Sequence, residues 1–257
     1  MSENFWKQYE DLAGACGYGR FSAEHIATLA VIAALIILAV YLFTRNGKGE
    51  TGGKPTGHPV LMRVFPWIMV CLEIFKDLFL AKAGHFGVGY LPLHLCSLGV
   101  FVFLAASLSK TDKWRMIWGE IACVLILPGS IAALLFPDWA GLYPVFNFMN
   151  LYGYLWHGML VLYPLFMVKS GWTHVCIKHG HYVWIFMICA AIPIYIFDRI
   201  ADCNYMFINW PPKGTPLEMI AGVTGESLYL VGYAVFAFIV IGLIYLGVGI
   251  YHRVSGQ

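Results

Sequence analysis

The run Leu91-Pro92-Leu93-His94-Leu95-Cys96-Ser97 sets a thiol among polar neighbours in a mostly apolar chain. Pro92 suits the first turn of a helix, so Cys96 is expected about one turn inside a helix N-terminus. Free N–H groups and the helix dipole favour a thiolate there, and burial in lipid opposes it. A thiolate attacks acyl carbonyls once a base has taken its proton. His157 is the candidate base. It ends a stripe with Asn150 and Tyr154, spaced by steps of four and three residues, and Asn147 stands at the head of the same segment. About 12 residues in from a helix start is about 18 Å at 1.5 Å per residue, close to mid-membrane. His94 is two positions from Cys96, about 200° away around a regular helix. It is therefore assigned to lining or orienting a substrate. Cys71, Cys123 and Cys189 read as small apolar fillers. Cys16 and Cys203 would pair only in an oxidising compartment. With no CxxC pair there is no zinc site by spacing, and neither metal nor cofactor is expected.

A second group stands out because ionisable side chains in hydrocarbon cost about 2.5–3.5 kcal/mol each on insertion scales. Glu73, Lys76 and Asp77 fall at i, i+3 and i+4, on one helix face. They form either a self-neutralising cluster that fixes packing or the polar wall of a site, in which Lys76 would meet a phosphate headgroup. Further on come Asp198, Arg199, Asp202 and Asn204-Tyr205. Asn150, Asn204 or helix N–H groups are candidates to steady an oxyanion.

The elements that must position these residues are long apolar runs. Of 257 residues, 60% are hydrophobic and 12% charged, and mean hydropathy is +0.72. A soluble domain carries about 25% charged residues. A barrel would need alternating segments of about 10 residues, and none is seen. The expected fold is all-α and polytopic. About seven transmembrane helices are placed near 24–44, 61–82, 92–109, 114–136, 145–168, 181–200 and 217–251. Pro128-Gly129 and Pro193 allow local breaks. Residues 1–23 form an extracytoplasmic or interfacial segment, 24–252 a single transmembrane domain, and 45–59 a Gly-rich polar linker. The acidic, aromatic N-terminus does not read as a cleavable signal peptide. A net charge of +2 gives no basic surface for nucleic acid.

Loop charge sets the expected orientation. Lys7, Arg20, Lys82 and Lys213 lie on one side. Arg45, Lys48, Lys54, Arg63, Lys110, Lys113, Arg115, Lys169, Lys178 and Arg253 lie on the other. Ten basic residues against four place the N-terminus outside and the C-terminus inside. Glu73, Lys76, Asp77, Cys96, His157, Asp198 and Asn204 then all fall between mid-membrane and the outer face, as if around one outward cavity.

The heptapeptide around Cys96 resembles the signature of the YwaF-type bacterial integral membrane proteins. So do Pro128-Gly129-Ser130-Ile131-Ala132-Ala133-Leu134-Leu135-Phe136-Pro137-Asp138, His157 in its helix, and Asn204-Tyr205-Met206-Phe207. The order holds across 61–250. That family is similar to eukaryotic transmembrane protein 164, regarded as a phospholipid acyltransferase with a Cys nucleophile and a His partner. The resemblance implies Cys96 as nucleophile, His157 as base, phospholipids and lysophospholipids as partners, and a bacterial cytoplasmic membrane. One departure is Trp156, where the family pattern has a shorter residue before the histidine.

Three functions compete. One is a membrane-embedded, cysteine-dependent acyltransferase or acyl hydrolase working through an acyl-thioester. Its substrate site would draw on His94, Asn150, Tyr154, Glu73, Lys76, Asp77, Asp198 and Asn204. The second is a transporter or channel using the Glu73/Lys76/Asp77 cluster and Asp198 as an ion path. The third is a non-catalytic sensor or assembly subunit.

Overall fold

A computed structural model of the chain describes residues 3–12, 17–46 and 59–255, apart from the side chains of Asn46, His252 and Ser255. Residue 16 lies outside them, and with it the suggested Cys16–Cys203 pair; so does most of the Gly-rich linker. Among the described residues the chain is all-helical, without strands. The main helices are α1 (Ala23–Asn46), α2 (Pro59–Ala83), α3 (Leu95–Leu108), α4 (Asp112–Ile121), α5 (Leu127–Leu135), α6 (Phe148–Lys169), α7 (Gly180–Ala201), α8 (Pro216–Thr224) and α9 (Tyr229–Ser255).

Three boundaries differ from the sequence expectation. The long last helix, expected over 217–251, is broken into α8 and α9 at Gly225, whose φ of +77° is a left-handed conformation that ends a helix. The third helix begins at Leu95 rather than near 92. His94 is its N-cap, with extended backbone, so Cys96 sits within the first turn. Between α4 and α5 the residues Ala122–Ile126 form a π-helical stretch. Pro128 has no N–H to return to the preceding turn, and the wider π turn absorbs that loss. Pro193, by contrast, is accommodated inside a continuous α7.

Among the described residues, five segments are long and apolar enough to cross a membrane: Ala23–Arg45, Asp112–Gly141, Phe148–Lys169, Ile177–Ala201 and Glu226–Tyr251. The expected seven included α2 and α3, which fall outside that set. α2 carries Arg63, Glu73, Lys76, Asp77 and Lys82, and α3 has 14 residues. The polarity is arranged for lipid. Ile37, Val231 and Ile200 are 68%, 60% and 81% exposed, while Lys76, Glu120, Asn150, His157 and Asp198 are buried. With apolar residues outward, the backbone is satisfied inside helices and polar side chains find partners within the bundle.

The core is built on α6. Phe166 stacks on Phe43 of α1 at 4.3 Å between centroids, and Tyr163 packs on Phe65 and Phe103 at 5.1 and 4.6 Å. The buried Tyr163 hydroxyl donates to the Met62 carbonyl at 2.7 Å, which satisfies it. Gly99 lets α3 approach closely: a Cβ there would lie 2.8 Å from Ile126 and 2.9 Å from Leu160 of α6.

One end of the bundle gathers the N-terminal segment with three loops. Phe148 N–H donates to the Phe5 carbonyl at 2.8 Å, and the Asn147 amide donates to the carbonyls of Asn4 and Lys7. His85 meets Asp11 at 3.0 Å, Arg20 meets Asp138 at 3.0 Å, and Arg20 also donates to the Lys213 carbonyl at 2.6 Å. Within the segment read as extracytoplasmic or interfacial, residues 3–12 dock on the bundle, with Trp6 between Phe79 and Phe148 at 5.7 and 5.2 Å.

Candidate functional site

Cys96 follows directly on the start of α3. The first intrahelical bond is Leu98 N–H to the His94 carbonyl, so the N–H groups of Leu95, Cys96 and Ser97 precede it. The thiol, half-buried, lies in reach of the Ser97 hydroxyl and of the backbone N–H groups of Ser97 and Cys96 itself. A helix N-terminus favours an anion generally, and burial opposes one.

His157 lies at the same level. Both α3 and α6 start at the end that holds the N-terminal segment, so they run in the same direction. Gly99 touches Leu160, and Cys96 and His157 each precede their side of that contact by three residues, a little under one turn. His157 Nδ1 is 2.8 Å from the Gly153 carbonyl. A carbonyl only accepts, so in neutral His157 the proton is on Nδ1 and the Nε2 lone pair is left for a base. Trp139 stacks on the ring at 4.8 Å and 9° and fixes its plane. That stack needs Gly153, since a Cβ there would lie 2.6 Å from the Trp139 ring. Among the described residues no hydrogen bond joins Cys96 to His157.

The triad on α2 is an internal ion cluster. Lys76 Nζ is 2.8 Å from Glu73 and 3.1 Å from Asp77, so its charge is already countered. That leaves a formal charge of minus one rather than a free cation for a phosphate. Tyr152 of α6 donates to the second Glu73 oxygen at 2.5 Å, and its ring lies 5.9 Å from Lys76 Nζ. Both Glu73 and Tyr152 are in electrostatic reach of Cys96. Tyr152 is the residue the sequence reading missed. It pairs with Trp156 four residues on, on the face of α6 away from the Asn150–Tyr154 stripe, and such a pair reads as core until its partner on α2 is known.

The stripe itself divides. Tyr18 Oη lies 3.0 Å from Asn150 Oδ1 and 3.1 Å from Tyr154 Oη, and the Asn150 amide donates to the Val145 carbonyl. These two residues therefore hold the N-terminal segment, whereas His157 lies at the level of the cysteine. Asn204 is likewise occupied: its amide donates to the Trp210 carbonyl, and its oxygen accepts from Asn209 and Trp210 N–H groups. Each asparagine amide is thus engaged in holding backbone with one of its two N–H groups; the first N–H groups of α3 are the donors beside Cys96.

His94 and Asp198 come together through the loop after α7. Asp198, fully buried, accepts from Tyr205 N–H at 3.0 Å. Tyr205 Oη accepts from Leu91 N–H at 2.9 Å and donates to the Val88 carbonyl. Burial pushes that phenol up to about 12, so it remains a donor. Met206 N–H donates to His94 Nδ1 at 3.3 Å. His94 is in electrostatic reach of His157 and Lys76. The structure thus brings Cys96, His157, His94, Glu73, Lys76 and Asp77 to one region, with Asp198 behind it.

The family model of the TMEM164 family matches residues 20–245. No curated protein and no solved structure matches the chain.

Proposed function

Since the chain belongs to the TMEM164 family, we propose that it is a membrane-embedded, cysteine-dependent acyltransferase or acyl hydrolase acting on phospholipids. The observation that carries the reading is a thiol under the free N–H groups of a helix start, level with a histidine whose Nδ1 is tied to a carbonyl. The acyl-transfer chemistry itself comes from the resemblance drawn above.

In this reading His157 Nε2 takes the Cys96 proton, and sulfur attacks the ester carbonyl carbon. The carbonyl electron pair moves to oxygen, where α3 N–H groups meet it. On collapse the C–O bond breaks, and the lysolipid oxygen leaves with the proton from Nε2. Cys96 then carries the acyl group as a thioester. A lysolipid hydroxyl, or water, gives its proton to Nε2 and attacks the thioester, releasing Cys96. Transfer and hydrolysis differ only in that second nucleophile.

The ten-against-four distribution of basic residues supports an N-terminus outside, with the site in the outer half of a bacterial cytoplasmic membrane. Of the two expected crossings outside the five long apolar segments, α2 carries Glu73, Lys76 and Asp77, and the short α3 carries Cys96. The cluster that suggested an ion path is closed on itself by Lys76 and Tyr152.

The test supplies purified protein with phospholipid and isotope-labelled lysolipid and reads products by mass spectrometry, with Cys96→Ala alongside. Labelled phospholipid from the wild type alone is expected. Equal product from the variant would end the cysteine reading.

A further inference from the structure

The two histidines near the thiol are held in opposite tautomers. His157 donates from Nδ1 to the Gly153 carbonyl. His94 accepts at Nδ1 from Met206 N–H, so in neutral His94 the proton sits on Nε2. One ring offers a lone pair at Nε2 and the other an N–H.

The loop that imposes the His94 tautomer is tied down at many points. Met206 and Phe207 have φ of +53° and +58°, a left-handed backbone that non-glycine residues rarely adopt. Their carbonyls accept from Tyr233 and Tyr229 at 3.2 and 2.6 Å. Asp198 holds Tyr205 N–H, and Tyr205 ties the loop to Val88 and Leu91. The His94 ring packs edge-on against Tyr205 at 4.9 Å. Nε2 is the ring nitrogen that Met206 does not engage, and the ring has His157 and Lys76 in electrostatic reach.

Resting on the acyl-transfer reading, we infer that His94 is a second catalytic histidine, whose Nε2–H donates to the oxyanion formed when Cys96 attacks the ester. It works beside the α3 N–H groups and takes no proton. Asp198 and Met206 are positioning residues that set its tautomer. A donor aimed at charge that appears only in the transition state raises kcat more than it lowers KM.

Two substitutions separate this role from a packing role. His94→Asn keeps an acceptor where Nδ1 meets Met206 N–H but has no donor at the Nε2 position. His94→Gln places an amide N–H near Nε2. A donor role predicts that His94→Asn lowers kcat by about 100-fold or more, in the range of oxyanion-donor losses, with KM little changed. It also predicts that His94→Gln recovers at least tenfold of that loss, and that the pH profile keeps its acid limb, since His157 is the base. A packing role predicts the reverse order, with His94→Asn near wild type. That order, or full rate in His94→Asn, overturns the inference. Cys96→Ala is run in the same assay. If it stays active the underlying acyl-transfer reading has failed, whereas an inactive Cys96→Ala beside a fully active His94→Asn sinks only the role of His94.

Discussion

Two glutamates, toward opposite ends of the bundle, one half-buried and one fully buried, each have a cysteine and a histidine nearby, yet they are built differently. Glu73 is bonded through side chains, to Lys76 at 2.8 Å and Tyr152 at 2.5 Å, and lies in reach of the Cys96 sulfur. Glu120 is fully buried, and both its oxygens accept from the backbone N–H of Cys176, at 3.1 and 2.9 Å. His179 stands 3.8 Å from it, too far for a hydrogen bond. At Glu120 the cysteine contributes its main chain, and the carboxylate clasps the 170–179 loop to α4. At Glu73 the carboxylate and its partner Tyr152 are in electrostatic reach of a thiol at a helix start. In the proposed reading the same residue types serve chemistry in one place and closure of a loop in the other, and the partner atoms decide which.

Substitutions break or sharpen that contrast. The largest expected effect is at the two cysteines. Cys96→Ser should lower acyl exchange by about 1,000-fold or more, the scale seen when a nucleophile is removed, and Cys176→Ser should leave it within twofold. Comparable losses at both would erase the distinction. Next, His157→Gln should lower kcat by about 100- to 10,000-fold, the usual worth of a positioned base, with melting temperature nearly unchanged.

Glu120→Ala removes the acceptor of a buried N–H and should destabilise the protein by about 1–3 kcal/mol. Equilibrium unfolding in detergent reads that loss. Activity per folded molecule should stay at the wild-type level, and a selective loss of rate would move Glu120 into the chemistry. The smallest effect expected is for Tyr152→Phe, which deletes one hydrogen bond to Glu73. A rate change of about three- to tenfold is expected, since a bond to a charged group is worth about 1.5–3 kcal/mol, only part of it felt at the thiol.

Between these lies Gly153→Ala. Its Cβ would sit 2.6 Å from Trp139, so the ring stacked on His157 has to move. A rate loss of about tenfold is expected together with destabilisation of about 1–3 kcal/mol from overpacking. An unchanged rate would show that the Trp139 stack does not orient the base.

Much of this was legible along the chain, for identifiable reasons. Apolar runs of bilayer length mark helices whatever their partners, so most of the helices were readable. Cys96 and His157 stood out as polar or reactive groups within apolar runs, where such groups need a reason. Tyr152, Trp139 and Met206 did not, because each acts through a residue far off in sequence: Tyr152 on Glu73, Trp139 on His157, Met206 N–H on His94. Aromatic and apolar side chains at helical spacing look like core until their neighbours are placed. The break at Gly225 was hidden because its flanks, Pro216–Thr224 and Tyr229–Ser255, are both apolar and helical, and one left-handed residue leaves little trace in periodicity.

The brevity of α3 has a consequence for what can react. Its 14 residues measure about 21 Å, against about 30 Å for a hydrocarbon core. Its far end is set by the polar turn at Lys110, Asp112 and Arg115, where Arg115 pairs with Asp112 at 2.9 Å. In the proposed reading, with that turn at the far headgroup plane, the shortfall falls at the Cys96 end and the thiol lies below the outer headgroups, near the level of glycerol esters. At that height an ester arrives by sliding sideways within its leaflet, without climbing into water. Such a protein sorts molecules first by the altitude of the bond they carry. A water-borne thioester or a short soluble ester would make a poor substrate however reactive its carbonyl.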